Sequence, residues 1–205
     1  DLNDRGPNTK ECFLLGMQLV KENNAIYLRG NHEEYFLQFL QSPEDWYEPY
    51  LRNGGKETFD SLLHPGSTEE YSPTEIALMI RSRYGELIDF LCERPLYYEW
   101  HNYLFVHAGV DLTKKDWHDT NPHDFIWIRE PFHEGKNNTG KTIVFGHTIT
   151  PMLHGDMETT DLWIHDKKIG IDGGAVFGGS MHGVVFDETG IVQDIEYQNT
   201  EGPWQ

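Results

Sequence analysis

The chain has 205 residues, enough for one globular domain with a substantial core, and its 38% apolar and 13% aromatic content excludes a disordered segment. A formal charge of −18 argues against partners such as nucleic acid polymers or anionic membrane surfaces. Any phosphate site must be made positive locally, by cations and a few arginines working against the global field.

No apolar run reaches membrane-spanning length and no signal-like segment is present. Two cysteines are too few for a disulfide framework, which points to a reducing, cytoplasmic setting. Cys12 and Cys92, beside Phe13 and Leu91, are expected as buried thiols. The chain opens on Asp1, inside a motif and without an initiator Met. It is therefore read as one domain over 1–205 whose N-terminal segment is missing.

Pro7 to Asn23 predicts a helix, with proline in the first turn and Phe13, Leu14, Met17 and Val20 at helical spacing. Ala25–Leu28 reads as a short apolar strand, Gly30-Asn31-His32 as a turn, and Glu33–Leu40 as the next helix. Residues 43–63 read as helical with a sharp break at Asn53-Gly54-Gly55. Trp46, Tyr47 and Tyr50 look exposed there, and an ordinary helical cap is a simpler reading than a partner face. A polar loop from His64 to Ser72 precedes one long helix from Pro73 to about Cys92.

From Leu96 the period becomes that of strands: 96–100 and 103–106 around a His101-Asn102 turn, then 142–145. The tail alternates over 162–165, 168–171, 182–186 and 191–197. Helices and parallel strands first, antiparallel strands later, predict an α/β fold with two packed mixed sheets flanked by helices.

The polar residues at these strand ends carry the chemistry. Asp1 and Asp4 share one turn with Arg5, and two carboxylates this close repel unless a cation or a partner separates them. Asp1 as metal ligand and Asp4 as partner of a histidine would resolve the conflict; a plain surface loop is the alternative. Asn31 can give a metal an uncharged oxygen while its neighbour His32 faces substrate. His107 and His147 each follow an apolar strand beside a glycine that allows close approach, Gly109 and Gly146, and neutral imidazole is a common metal ligand. Arg129 is either a salt-bridge partner of Glu130 or a phosphate clamp. His64, His101, His118, His123, His133, His154, His165 and His182 match no ligand motif and are expected at surface or satisfied positions.

Asp1-x-x-Asp4-Arg5-Gly6, Gly30-Asn31-His32-Glu33, His107-Ala108-Gly109 and Gly146-His147 stand in the order of the phosphoprotein phosphatase family of metallophosphoesterases. The chain resembles that family from 1 to 147, closest to its bacterial and phage branch, and Ile171–Gly174 with Phe177–Gly179 is similar to the family's closing strand and loop. The resemblance implies a calcineurin-like sandwich and two divalent metal ions, manganese first with iron or zinc as alternatives. Asp1 would bridge the ions, with Asn31, His107 and His147 completing the second site. His32 would be the general acid oriented by Asp4, and Arg5 and Arg129 would bind phosphoryl oxygens. A first motif segment, which gives the family an Asp and a His ligand, is not in this sequence, so the chain alone is expected to be impaired. The Leu28–Glu33 form implies a serine/threonine protein phosphatase acting on a phosphorylated protein by attack of a metal-bound hydroxide. The alternatives are a symmetrical diadenosine tetraphosphate hydrolase and a non-catalytic domain that recognises phosphate.

Overall fold

The computed structural model describes residues 1–200, which divide into two compact units, Asp1–Pro95 and the remainder from Leu96 on. The architecture is α/β, with two sheets and flanking helices.

The first unit is helical. Its elements are α1 (Thr9–Asn23), α2 (Asn31–Gln41), α3 (Pro43–Leu51), α4 (Gly55–Leu62), the single turn α5 (Ser67–Glu70), α6 (Pro73–Arg83) and α7 (Gly85–Cys92). Phe13, Phe36, Phe39, Tyr50, Phe59, Leu62, Ile76, Ile80 and Leu91 form its core, with the Phe39 and Phe59 rings 4.7 Å apart. Offset and edge contacts of this kind add to area burial.

Four expectations need correction here. Residues 25–28 form no strand, because a strand exists only by pairing and no ladder partner stands beside them among the described residues. The long helix is two helices. It ends at Tyr84, whose hydroxyl donates to the Leu62 carbonyl at 2.7 Å, and Gly85 opens the second. Both cysteines are exposed: the inward line of α1 runs through Thr9, Phe13 and Gly16, and that of α7 through Leu87 and Leu91. Tyr50 is fully buried, since α3 turns it between Phe39 and Phe59.

The second unit contains β1 (Tyr97–Trp100), β2 (Tyr103–Val106), α8 (Asp124–Trp127), α9 (Glu130–Glu134), β3 (Thr142–Phe145), α10 (Thr150–His154), β4 (Trp163–His165), β5 (Lys168–Gly170), β6 (Ser180–Phe186) and β7 (Ile191–Gln198). A mixed sheet runs β1-β2-β3-β5-β4, parallel only across β2, β3 and β5. Strand period sorts its side chains. Leu104, Val106, Ile143 and Phe145 pack against Phe125, Ile126 and Phe132 of the short helices, while Tyr103, Val144 and Ile169 lie on the other face. There Phe186 of β6 meets Tyr103 and Phe105 at 5.2 and 5.7 Å, so the antiparallel β6–β7 pair covers the second face. An isolated parallel bridge from Gly174 to Ser180 makes the pairing of this smaller sheet mixed as well.

Lys168, on β5, is fully buried and donates to the carbonyls of Phe132, His133 and Gly135 at 2.7–3.0 Å. It closes the C-terminal end of α9, where orphan carbonyls need donors. Burial pushes its ammonium below the usual lysine range.

His133 is stacked on Phe145 at 5.6 Å and edge-on to Phe132, and burial lowers its pKa from 6.5 to about 4. Above pH 6.5 the ring is neutral folded and unfolded, so its contribution to stability is complete. Below pH 6.5 the unfolded chain takes up a proton that the fold refuses, and stability falls until about pH 4. His133→Phe should flatten this part of a denaturation-versus-pH profile relative to the parent; parallel profiles for the two proteins would contradict the assignment.

Candidate active site

Asp4 and Arg5 are both left-handed, at φ 72° and 62°, a conformation costly for a side chain as large as arginine. Three bonds hold the bend: Arg5 N–H to the Gly54 carbonyl at 3.0 Å, Gly6 N–H to the Asp4 carbonyl at 2.6 Å, and Asp4 N–H to Thr58 Oγ1 at 3.0 Å. Gly54 is required twice over. Its φ is +91°, and a Cβ there would stand 2.5 Å from Arg5 Cγ and 2.8 Å from Arg5 N.

The Gly30–Glu33 run is the start of α2 rather than a turn before it, so Asn31 and His32 occupy its first turn and both are buried. Glu33 Oε2 folds back to accept the Gly30 N–H at 2.8 Å, which is why the helix begins two residues earlier than its apolar period suggests. Glu33 Oε1 accepts from Leu2 N–H and from the Tyr27 hydroxyl, each at 2.7 Å. Burial, reinforced by the Glu33 charge, drives the Tyr27 hydroxyl well above its ordinary pKa and keeps it a donor. The Asp1 carboxylate accepts the His32 N–H at 3.1 Å, at the positive end of the helix.

Asp4, His32 and Arg5 come together. The His32 Nδ1–H donates to Asp4 Oδ2 at 2.6 Å, and Arg5 Nη1 donates to His32 Nε2 at 3.1 Å. Arginine has only protons to give, so Nε2 accepts and the tautomer carries its proton on Nδ1. The second Asp4 oxygen accepts from the Tyr50 and Thr58 hydroxyls at 2.6 and 2.7 Å. Burial and the Asp4 charge raise the Tyr50 hydroxyl well above its ordinary pKa, so it too stays protonated.

The remaining candidates lie in the second unit. His107 and His147 follow β2 and β3, which are adjacent and parallel, so both imidazoles stand at the carboxyl ends of the strands, with ring centroids 5.2 Å apart. Ligand groups collect at such strand ends in open α/β sheets. His147 is left-handed at φ 65°, with the Trp127 ring edge-on at 5.4 Å. Gly109 admits the Phe132 ring, which a Cβ would meet at 2.5 Å. Gly146 has only ordinary contacts, so the close approach expected there is absent. Arg129 Nη1 donates to Thr148 Oγ1 at 2.8 Å and is thereby tied to the residue after His147; Glu130 is not its partner in any ion pair among the described residues.

Sequence reasoning named Asp1, Asp4, Arg5, Asn31, His32, His107, Arg129 and His147 but missed Asn3, Tyr27, Tyr50, Thr58 and Thr148. A Glu three residues after Gly30 signals the capping role of Glu33, whereas Tyr50 and Thr58 carry no local signal. Of the other histidines, His182 has a buried side chain, held by Asp194 at 2.9 Å and the Thr160 carbonyl at 2.8 Å.

Among the described residues no three His, Cys, Asp or Glu side chains gather as a group able to hold a metal. Within each unit the donor types nonetheless suit a hard or borderline divalent ion: a carboxylate beside an amide in the first and two neighbouring imidazoles in the second, without thiolate.

The family model for calcineurin-like phosphoesterases matches residues 1–180. An asymmetrical bis(5'-nucleosyl)-tetraphosphatase PrpE of Oceanobacillus iheyensis is 26% identical over 199 residues, covering 94% of this chain and 74% of the relative. The enzyme of that name from Halalkalibacterium halodurans is 25% identical over 209 residues, covering 94% and 75%. A crystal structure described as a candidate diadenosine tetraphosphatase superposes with a TM-score of 0.65 at 17% identity, over 98% of this chain and 79% of that one, a likeness of fold.

Gly54→Ala should destabilise the chain by roughly 1–3 kcal/mol, the usual cost of a left-handed non-glycine residue plus the displaced Arg5 backbone. Urea denaturation measures this, and a loss under about 0.5 kcal/mol, ordinary for a surface substitution, would show that the bend does not need Gly54.

Proposed function

The chain belongs to the calcineurin-like phosphoesterase family, and we propose that it hydrolyses a phosphoric anhydride bond in a dinucleoside tetraphosphate. One observation carries the catalytic part of this reading: the buried His32–Asp4 pair at 2.6 Å with Arg5 on the other ring nitrogen. The substrate class rests on the two tetraphosphatases that align with 94% of the chain. Their names specify asymmetrical cleavage, so the proposed products are a nucleoside triphosphate and a monophosphate rather than two diphosphates.

Asp1, Asn31, His107 and His147 are the side chains we assign as ligands of divalent cations, manganese first and iron or zinc as alternatives. When bound, such ions acidify a water and stabilise charge on the phosphoryl oxygens. Arg5 and Arg129 bind those oxygens, for which planar, permanently charged guanidinium suits better than lysine. Arg5 leaves His32 Nε2 as it turns to the phosphoryl group. That nitrogen is then open to carry a proton to the departing oxygen, while Asp4 keeps hold of Nδ1–H and fixes the ring.

A second reading has its own support. Leu28–Glu33 matches the signature of serine/threonine protein phosphatases, and a buried, well-oriented acid serves an alkoxide leaving group more than a phosphate one. The two readings separate in one assay. With the full-length protein at equal manganese, the tetraphosphate should exceed a phosphoserine peptide by about a hundredfold in kcat/KM, some 2.7 kcal/mol. The reverse preference would reinstate the phosphoprotein, and phosphate binding without turnover would identify a recognition domain.

Removing the metal with a chelator should abolish turnover and manganese should restore it. His32→Ala should lower kcat on alkyl phosphoesters about 10²–10⁴-fold, the range for a lost general acid, without changing metal content. An unchanged rate would remove His32 from the mechanism.

A further inference from the structure

The geometry points to Tyr50 and Thr58 as positioning residues that hold Asp4, and through it His32, in working alignment; this rests on the proposed reading of His32 as the acid. Asp4 Oδ1 accepts from Tyr50 at 2.6 Å and from Thr58 at 2.7 Å, which leaves Oδ2 to His32 Nδ1–H alone. A carboxylate held through one oxygen can swing about its terminal torsion, which is a soft one. Two hydroxyls on the other oxygen remove that freedom.

The proton directions are determined throughout this cluster. An ionised carboxylate only accepts, so both hydroxyls spend their single proton on Asp4. Thr58 Oγ1 must therefore accept from the Asp4 N–H at 3.0 Å, and the Thr9 hydroxyl at 3.3 Å becomes a donor to it. Thr58 thus grips Asp4 by backbone and side chain together. Asn3 Nδ2 donates to Tyr50 Oη at 3.2 Å and to the His32 carbonyl at 3.0 Å, which closes the circuit back to α2.

Packing alone does not call for a tyrosine at position 50. Its ring lies among Phe36, Phe39 and Phe59, with centroids at 6.2, 5.9 and 5.3 Å, where phenylalanine would fit without the cost of burying a hydroxyl. The oxygen has its use at Asp4. Tyr50 and Thr58 lie on α3 and α4, 46 and 54 positions from Asp4 in sequence, outside every motif that points to the site.

The test uses Tyr50→Phe and Thr58→Val, with Thr58→Ser as the rescue that keeps the hydroxyl. On alkyl phosphoesters kcat should fall about tenfold with KM within about twofold, while nitroaryl esters, which need little acid help, stay within about twofold. In a His32→Ala background Tyr50→Phe should cost nothing further, as groups acting through one another are not additive. The His32 Nδ1–H proton resonance should shift in Tyr50→Phe while the urea midpoint records any general loss of stability. An equal loss on all esters, full additivity with His32→Ala, or an unmoved resonance would overturn the assignment. Should Tyr50→Phe fail to fold, Thr58→Val against Thr58→Ser decides in the same way. If His32→Ala leaves the leaving-group dependence intact, the acid reading fails by itself, and the resonance still reports whether Tyr50 holds the pair.

Discussion

A carboxylate taken out of water is tolerable only if donors replace its hydration, and Asp4 receives three of them on two oxygens. Those donors come from three helices: His32 from α2, Tyr50 from α3 and Thr58 from α4. The side chain is therefore a junction of the helical unit as well as a candidate part of its chemistry. Removing one donor from such a junction leaves a buried acceptor short of a hydrogen bond, which costs about 1–3 kcal/mol. The backbone beneath it is strained, with two consecutive left-handed residues, and Gly54 is the neighbour that makes room for them. Stability and site geometry in this unit rest on the same few bonds.

The second unit solves a different problem. Its imidazoles need no buried charge, only two adjacent parallel strands that stop at the same level. Register does that work, because β2 and β3 pair residue for residue from Tyr103 with Thr142 to Phe105 with Val144, close to where each histidine follows. The sheet is covered by short helices on one face and the β6–β7 pair on the other. Lys168 and Gly109 belong to this support: one closes a helix end with its ammonium, the other yields space to Phe132.

Charge limits where an anion could be held. Against a formal −18, phosphate affinity cannot come from the surface as a whole. Arg5 and Arg129 each make a specific polar contact inside their own unit, to His32 Nε2 and to Thr148. The Arg129 contact can persist as it stands, whereas the Arg5 contact is one that the proposed reaction breaks. The strength of the His32–Asp4 unit bears on substrate as well. If His32 is the acid proposed above, a phosphate leaving group needs it less than an alkoxide does, so the leaving group is the quantity through which the two substrate readings differ.

Much of this was legible in one dimension. The strands at 103–106 and 142–145, the break at Asn53-Gly54-Gly55 and the ordered motifs follow from periodicity, glycine and residue chemistry, all of which act over a few positions. The strand expected at 25–28 failed because pairing is a property of neighbours in space. The buried cysteines failed because a helix turns one residue in and the next one out. Sequence by itself determined the α/β class, the calcineurin-like phosphoesterase membership though not the phosphoprotein phosphatase branch, and the identity of the candidate polar residues, since each depends on which side chains stand at which spacing. Only the tertiary structure decided the proton direction at His32, the buried place of Tyr50 and the grip of Thr58 on Asp4. Those depend on contacts between residues 27 to 54 positions apart in the chain, which packing creates and no local pattern encodes.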